Sequence, residues 1–386
     1  MITSGRRSGD DRPQPVELAR TPGDARPALP TVTRMRWRGR AAVIGLLTTV
    51  LLVPAAVADP GASAAPAARP PAVVVLGDSA AAGDGAGDYE PGTRGEDGNW
   101  CHRSPHAYAH RTGLPGTSIN LACSGADTGD VAFPAPGHYT EPSQARRLAE
   151  IARQYRVHTV VLQVGANDEG SLTQIGKDCV RTFIDPVQPA CRTTIGPYLG
   201  ERTAAAAAGI ERAARDVREA MRRAGYGTTD YALVLTSYAP PVTGKMISVP
   251  IAIGCPFSRP DAEWGHDVLF PAFSDAVRGV AQRVGAQFLG LDLATDGHEA
   301  CTSTDPAAEW HRRITVDPHA FVHGGLDAFG WHLAQESFHP TAAAHERIGA
   351  CVGEIVRAGV AAAECVTGAD GVTRLVTAGT ERPAAA

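Results

Sequence analysis

A serine follows directly after a short apolar segment in VVVLGDS at 73–79, which is typical of a buried strand. Gly77 favours a tight turn at the end of that strand, and such a turn can expose the Ser79 hydroxyl beside backbone N–H groups. This position suits a nucleophile, provided that a base lies within hydrogen-bond reach. Ser79 could equally cap a short helix, because serine is a preferred N-cap residue.

His339 is the strongest candidate for that base among the 13 histidines. It lies in ESFHPTAAAH at 336–345, where Pro340 ends the preceding segment and favours the start of a helix. The imidazole would then be held at the end of a loop, as a general base requires. An isolated histidine in such a place is more often an ordinary loop residue.

Two further segments could stabilise the oxyanion that forms when a hydroxyl attacks a carbonyl carbon. LACSGAD at 121–127 offers the Gly125 amide, and LQVGANDEG at 162–170 offers the Asn167 side chain. Both follow apolar segments and contain glycine. Each of them alone could be only a turn.

Other chemistries are less well supported. Asp78 and Asp168 could be paired carboxylates of a glycoside hydrolase, but short acidic side chains commonly stabilise turns. His323 and His332 could suggest a metal site, yet no carboxylate or cysteine pattern accompanies them, so we expect no metal. Ala81, two residues after Ser79, stands where the GxSxG elbow of the α/β-hydrolases has its second glycine, which argues against that superfamily.

Apolar segments that alternate with helical patterns must position these residues. The clearest helix is predicted at 203–224, where apolar side chains recur every three or four residues and Gly225 follows as a C-cap. Strands that are apolar on both faces indicate a parallel sheet covered by helices, with its active site at the carboxyl ends of the strands. The predicted strands are 72–76, 118–122, 158–164, 231–238 and 287–293.

The ordered set of blocks resembles the SGNH hydrolase family, also called GDSL esterases and lipases. The blocks are Gly-Asp-Ser, Ser-Gly, Gly-x-Asn-Asp and His-Pro, and the resemblance spans residues 72 to about 358. CHRSPHAY at 101–108, followed by ACSGA, is similar to the secreted actinobacterial lipases and esterases of this family.

That resemblance implies both a fold and a set of roles. The fold is a flavodoxin-like three-layer α/β/α arrangement with a mostly parallel central sheet. Ser79 would be the nucleophile and His339 the general base. Gly125 and Asn167 would donate to the oxyanion together with the Ser79 amide.

One position departs from the family pattern. The family usually carries aspartate three residues before the histidine, and this sequence has Glu336 there. A third group must accept the other imidazole N–H, because that bond fixes the tautomer and stabilises the imidazolium. The Glu336 side chain is a candidate for this catalytic role. Some relatives of this branch use a main-chain carbonyl, and we slightly favour that of Glu336 or Ser337.

A secretory signal precedes the domain. The segment at 34–40 is basic, 41–53 is an apolar run, and Ala56 and Ala58 are the small residues that a signal peptidase reads. Thirteen apolar residues are too few for a membrane span, which needs about 20, so we expect cleavage after Ala58 and no stable membrane anchor.

The predicted organisation follows from these segments. Residues 1–34, rich in Arg, Pro, Asp and Gly, form a disordered extension that a start at Met35 would leave untranslated. The signal peptide covers 35–58. A linker at 59–71, the hydrolase domain at 72–365 and a loosely held tail at 366–386 follow.

Eight cysteines in an exported chain indicate a disulfide framework, although eight cysteines allow 105 pairings. Proximity favours four local pairs, and disulfides are also local in the branch that the sequence resembles. None of the cysteines forms a CxxC pair, which argues against zinc and thioredoxin-like chemistry. The favoured pairs are Cys101 with Cys123, Cys179 with Cys191, Cys255 with Cys301, and Cys351 with Cys365.

The sequence therefore predicts a secreted, monomeric serine esterase or lipase that needs no cofactor and acts on small-molecule or lipid esters. The net charge of −5 is small, which argues against nucleic-acid binding. The segments at 171–202 and 239–265 should frame the pocket. A carbohydrate acetyl esterase and a non-catalytic secreted binding protein on the same scaffold are the alternatives.

Overall fold

The computed structural model describes residues 69–249, 254–328 and 330–377. The predicted N-terminal extension, the signal peptide with its cleavage site after Ala58, and most of the linker lie outside the described residues. Within the described ranges, no helix has both the length and the apolar character needed to cross a membrane.

Seven strands form one sheet in the order β2-β1-β3-β4-β5-β6-β7 within the described residues. The first six strands are parallel, and β7 pairs antiparallel with β6. The strands are β1 Pro71–Gly77, β2 Thr117–Asn120, β3 Arg156–Gln163, β4 Ala232–Thr236, β5 Gln287–Leu293, β6 Ala362–Thr367 and β7 Thr373–Thr377.

Helices cover both faces of this sheet, so the predicted three-layer α/β/α architecture is confirmed. They are α1 Ser79–Ala82, α2 Thr128–Val131, α3 Gln144–Gln154, α4 Leu172–Ile184, α5 Cys191–Ile195, α6 Leu199–Arg223, α7 Arg259–Trp264, α8 Phe270–Val284, α9 Ala320–Gly324 and α10 Ala342–Ala358. The helix predicted at 203–224 is α6, which begins four residues earlier and ends one residue earlier.

Side chains alternate between the two faces along each strand, because successive residues of a strand point to opposite sides. In β1, Val74 and Leu76 pack into the core that α3, α6 and α8 cover, whereas Val75 packs into the core beneath α10. Both faces are apolar, which explains why the strand sequence reads as a continuous apolar segment.

All eight cysteines form the four local pairs that proximity favoured. Two of these disulfides join a helix to the next helix or strand. Cys179 in α4 is bonded to Cys191 at the start of α5, and Cys351 in α10 is bonded to Cys365 in β6. The paired cysteines are 12 to 46 residues apart in the sequence.

The predicted end of the domain at residue 365 is too early. Strand β6 continues to Thr367, and residues 373–377, expected in a loose tail, form the edge strand β7. The turn between them includes Gly371 at φ +71°. The edge strand is short and only Leu375 and Val376 in it are apolar, so its sequence carries a weak strand signal although it pairs with β6.

Strand β1 lies between β2 and β3 in the sheet. The strand order reverses at β1, because β2 was added on one side of it and β3 on the other. Open parallel sheets bind ligands at such a point, outside the carboxyl ends of the strands. The loops that follow β1, β2 and β3 carry Ser79, Gly125 and Asn167 respectively. One edge of the sheet therefore gathers the predicted residues.

Candidate active site

Ser79 is the first residue of α1, directly after the turn that ends β1. Gly77 makes this turn possible, since it has φ +146° and a Cβ atom there would stand 1.8 Å from the Gln163 carbonyl oxygen. The side chain of Asp78 caps α1 by accepting a hydrogen bond from the Ala80 N–H at 3.1 Å. Asp78 rather than Ser79 is thus the N-cap, and the Ser79 hydroxyl is available for other contacts.

His339 lies beside Ser79 although 260 residues separate them. Its Nε2 atom is 2.7 Å from the Ser79 Oγ atom. The Phe338 N–H donates to the Arg312 carbonyl and the Arg312 N–H donates to the His339 carbonyl, which fixes the loop that carries the imidazole. Phe338 adopts φ +63° in this loop. The side chain of Arg312 also donates to the Gly85 carbonyl, close to the loop after α1.

The other imidazole nitrogen faces a main-chain carbonyl. The Nδ1 atom of His339 is 3.1 Å from the Ser337 carbonyl oxygen. A carbonyl can only accept, so Nδ1 carries the hydrogen in the neutral ring and Nε2 presents its lone pair to the Ser79 hydroxyl. This is the tautomer that a general base needs.

The structure corrects the assignment of the Glu336 side chain to this role. The carboxylate of Glu336 accepts a hydrogen bond from the Tyr89 hydroxyl at 2.8 Å instead, and Tyr89 in turn accepts from the Gly85 N–H. Of the two carbonyls considered, that of Ser337 meets the imidazole. The Ser337 hydroxyl contacts both the N–H and the carbonyl of Thr315, which holds this turn in place.

Asn167 and Gly125 lie in adjoining turns. The Asn167 Oδ1 atom accepts from the Thr173 hydroxyl at 2.8 Å, and Nδ2 donates to the Ala126 carbonyl at 3.1 Å. These two bonds fix the orientation of the amide, and one Nδ2 hydrogen remains for a ligand. Gly125 has φ +79°, and neither its N–H nor that of Ser79 donates to another described residue.

The loops that carry these donors are bonded to one another. The Asp78 N–H donates to the Gln163 carbonyl and the Cys123 N–H donates to the Gly77 carbonyl, both at 3.1 Å. The side chain of Gln144 bonds both the N–H and the carbonyl of Gly77. Because backbone bonds join the ends of the three strands, the donors are held by the sheet rather than by flexible loops.

Asp78 and Asp168 take part in structural hydrogen bonds. Tyr238 donates to Asp78, and burial raises the pKa of that carboxyl to about 7, although hydrogen bonds from Tyr238 and Ala80 oppose the shift. Asp168 accepts from the N–H and the hydroxyl of Thr128, both at 2.9 Å, and burial raises its pKa. These contacts favour the turn-stabilising interpretation over the glycosidase one.

An apolar cavity of about 420 Å³ opens at Ser79 and His339. His311 also lines it, and burial lowers the pKa of this imidazole to about 3, so the ring is neutral near pH 7. Lys177, whose ammonium lies 4.6 Å from the centre of the Trp331 ring, is a charged residue of the lining. The apolar lining includes Leu172, Val180, Phe257, Phe270, Leu291 and Ile314.

The remaining candidates lie elsewhere. His332 stacks on Trp100 with ring centres 4.2 Å apart, and His323 lies 3.5 Å from Glu96. Both predicted pocket segments contribute to the cavity, through α4 and through residues near Pro256. Thr173 and Tyr89 are not recognisable from the sequence, because neither belongs to a motif and their roles depend on which side chains the fold brings beside them.

Sequence comparisons relate this chain to a known family. The model of the GDSL-like Lipase/Acylhydrolase family matches residues 75–347. The chain is 27% identical to Lipase 2 of Streptomyces coelicolor over 282 residues, which cover 68% of this chain and 86% of that protein.

Two solved structures are also similar. An extracellular lipase from Streptomyces rimosus is 22% identical, with a TM-score of 0.47 over 74% of this chain and 99% of that one. A phospholipase A1 from Streptomyces albidoflavus is 21% identical, with a TM-score of 0.46 over 76% and 100%.

Proposed function

We propose a specific activity for this chain, which belongs to the GDSL-like lipase/acylhydrolase family and is an ester hydrolase of the SGNH type. It is an exported serine esterase that cleaves carboxylic esters of apolar acyl groups through an acyl-enzyme. The 2.7 Å contact between Ser79 Oγ and His339 Nε2 at the end of an apolar cavity is the main support. A hydroxyl beside an imidazole lone pair is an activated nucleophile.

The first half of the reaction forms the acyl-enzyme. The Ser79 oxygen attacks the ester carbonyl carbon while its proton passes to His339 Nε2. The resulting oxyanion accepts hydrogen bonds from the Ser79 and Gly125 amides and from the Asn167 side chain. The intermediate then collapses, the bond to the alcohol oxygen breaks, and His339 returns its proton to that oxygen.

The second half repeats these steps with water. Water gives its proton to His339 Nε2 and attacks the acyl carbon, and the Ser79 oxygen leaves with the proton from the imidazolium. The Ser337 carbonyl accepts the Nδ1 hydrogen throughout, so it stabilises the positive charge on His339 through its dipole.

The cavity lining favours an apolar acyl group over a sugar acetate. Its volume of about 420 Å³ lies within the usual range for ligand pockets, which is roughly 300–1,000 Å³. Leu172, Phe257, Phe270 and Leu291 offer apolar contacts. A sugar ring would instead leave its hydroxyls without partners along such a wall. The name of the related Lipase 2 points the same way.

Export is the second part of the proposal. The basic and apolar segments at 34–53 and the small residues Ala56 and Ala58 suit a cleaved leader. The four disulfides suit an oxidising compartment, since such bonds are rare in reducing ones.

Replacing the nucleophile tests the reaction. Ser79→Ala should remove nearly all hydrolysis of p-nitrophenyl esters, because the variant cannot form the acyl-enzyme. Wild type should react faster with medium-chain than with acetyl esters, and a fluorophosphonate should label the Ser79 peptide. Ser118→Ala, on the outer strand β2, is the matched control and should retain wild-type turnover.

Three results would contradict the proposal. Unchanged turnover by Ser79→Ala would show that another group is the nucleophile. A preference for sugar acetates over every aliphatic ester would favour the carbohydrate esterase. Failure of the wild type to react with the fluorophosphonate would support the binding-protein alternative for this chain.

A further inference from the structure

Three ionisable side chains outside the proposed active site converge beside the end of β5. His266 lies in a single π-helical turn, Gly265–Leu269, that joins α7 to α8. Asp296 and Glu299 lie in the segment after β5. One ligand atom from each of the three residues lies within 4.8 Å of the other two. Single π-helical turns inside helices occur frequently at functional sites.

One carboxylate oxygen of Glu299 is buried without a hydrogen-bond partner. The residue is 1% exposed, and its Oε2 atom has no hydrogen-bond partner. Burying a carboxylate oxygen without a partner is costly, and native structures rarely contain one without a reason such as a bound ion. None of the three residues takes part in the proposed ester hydrolysis or lines its cavity.

The distances between the ligand atoms suit a first-row divalent cation. The Nε2 atom of His266 lies 3.2 Å from Glu299 Oε1 and 3.7 Å from Asp296 Oδ1. Two ligand atoms that are each about 2.1 Å from a tetrahedral metal stand about 3.4 Å apart. Imidazole with carboxylates is a donor set that suits zinc, whereas calcium prefers oxygen ligands alone.

The orientation of His266 agrees with the role of a ligand. Its Nδ1 atom lies 2.6 Å from the Asp267 carboxylate, which can accept the Nδ1 hydrogen. Nε2 then faces Glu299 and Asp296, and it can coordinate a cation there once its own proton is displaced. Histidine ligands almost always donate their other N–H in this way, commonly to a carboxylate.

An entry path is also present. His266 lines a surface depression of about 450 Å³ together with the acidic side chains of Asp267, Asp275 and Asp292. Arg278 is a basic residue of the same depression. The depression brings solvent to His266, the one member of the cluster that lines it.

We propose that His266, Asp296 and Glu299 form a binding site for a divalent cation of the zinc class. The ion ties the segment after β5 to the turn between α7 and α8. Phe270, at the start of α8, and Leu291, in β5, line the acyl cavity, so the ion supports one wall of it. Its role is structural, and no step of ester hydrolysis passes through it.

A zinc titration of the full chain tests this site. The disulfide-bonded protein is freed of metal with EDTA, dialysed and titrated with ZnCl₂ by calorimetry. The wild type should bind one equivalent, and its melting temperature should rise with zinc. Thiolates do not compete, because all eight cysteines are paired.

Single substitutions locate the ion. His266→Gln and Glu299→Gln should each weaken zinc binding by a hundredfold or more, since each removes one of three protein ligands. His106→Gln is the matched control, because His106 forms a surface pair with Asp88 and should leave the affinity unchanged. His266→Gln changes a partly exposed residue, and it serves as the test if Glu299→Gln does not fold.

Each contrary outcome would overturn the proposal. Wild-type protein that binds no zinc would show that a proton on His266 joins the carboxylates. Binding that survives His266→Gln would place the ion elsewhere. Preferential binding of Ca²⁺ over Zn²⁺ in competition would exclude the zinc class. Ser79→Ala should bind zinc as the wild type does, so that failure of this proposal is distinguishable from failure of the proposed hydrolysis.

Discussion

The group that orients His339 is a main-chain atom, which a motif cannot reveal. The carbonyl of Ser337 reaches Nδ1 because the chain turns at Phe338, a residue with φ +63°. Glu336, three residues before the histidine, points to Tyr89. The sequence identified the histidine and restricted its partner to three groups, but the choice among them depended on this turn.

Glu336→Gln should therefore lower kcat/KM by less than about tenfold, well below the contribution of general acid–base catalysis, which is roughly a hundredfold to ten-thousandfold. Glutamine keeps an acceptor for the Tyr89 hydroxyl, and the Ser337 carbonyl is untouched. His339→Ala should cost roughly a thousandfold or more. Steady-state hydrolysis of a p-nitrophenyl ester by both variants provides the comparison.

If Glu336→Gln lost as much activity as His339→Ala, the carboxylate would be the orienting group and the observed pairing with Tyr89 would belong to a different state of the loop. Glu354→Gln, in α10, controls for a general effect of removing a carboxylate, since it should change neither kcat nor KM.

At the level of elements, the strands that carry the site were predictable and the edge of the sheet was not. Strands β1, β3 and β5 are buried on both faces, so their apolar segments stand out in the sequence. Strand β7 is held by backbone pairing with β6, and threonine and arginine dominate it. The positions of Thr173 and Tyr89 also depended on how the loops pack.

The Cys179–Cys191 disulfide should affect substrate selection as well as stability. It joins α4, which lines the acyl cavity through Leu172 and Val180, to α5. The double variant Cys179→Ser, Cys191→Ser should lose about 3 kcal/mol of unfolding free energy, as expected for a closed loop of this length. KM should rise for medium-chain esters more than for acetyl esters, because the loosened wall mainly contacts longer chains.

The Cys351–Cys365 pair provides the control. It closes a loop of similar length between α10 and β6, and neither cysteine lines the cavity. Its double serine variant should lose comparable stability in a urea titration without changing the chain-length preference. Equal changes of preference in both double variants would show that α4 has no special role in selecting the acyl group.

For the whole molecule, four disulfides and a hydrolytic site fit a chain that works outside the reducing cytosol. The four bridges join different elements of the same domain. The predicted leader lies outside the described residues, and export rests on its sequence pattern and on the paired cysteines.

Cleavage of the leader is the prediction at this scale. The full chain, expressed in an actinobacterial host, should appear in the medium with Asp59 as its first residue. Signal peptidase reads small residues one and three positions before the cut, which are Ala58 and Ala56 here. The double variant Ala56→Leu, Ala58→Leu should stay uncleaved, whereas Val57→Leu, between them, should be processed normally.

N-terminal sequencing of the secreted protein measures the cut directly, and residues found intact before Asp59 would refute the predicted site. Accumulation of active enzyme inside the cell, with the leader retained and the cysteines reactive to maleimide, would refute export itself while leaving the esterase chemistry in place.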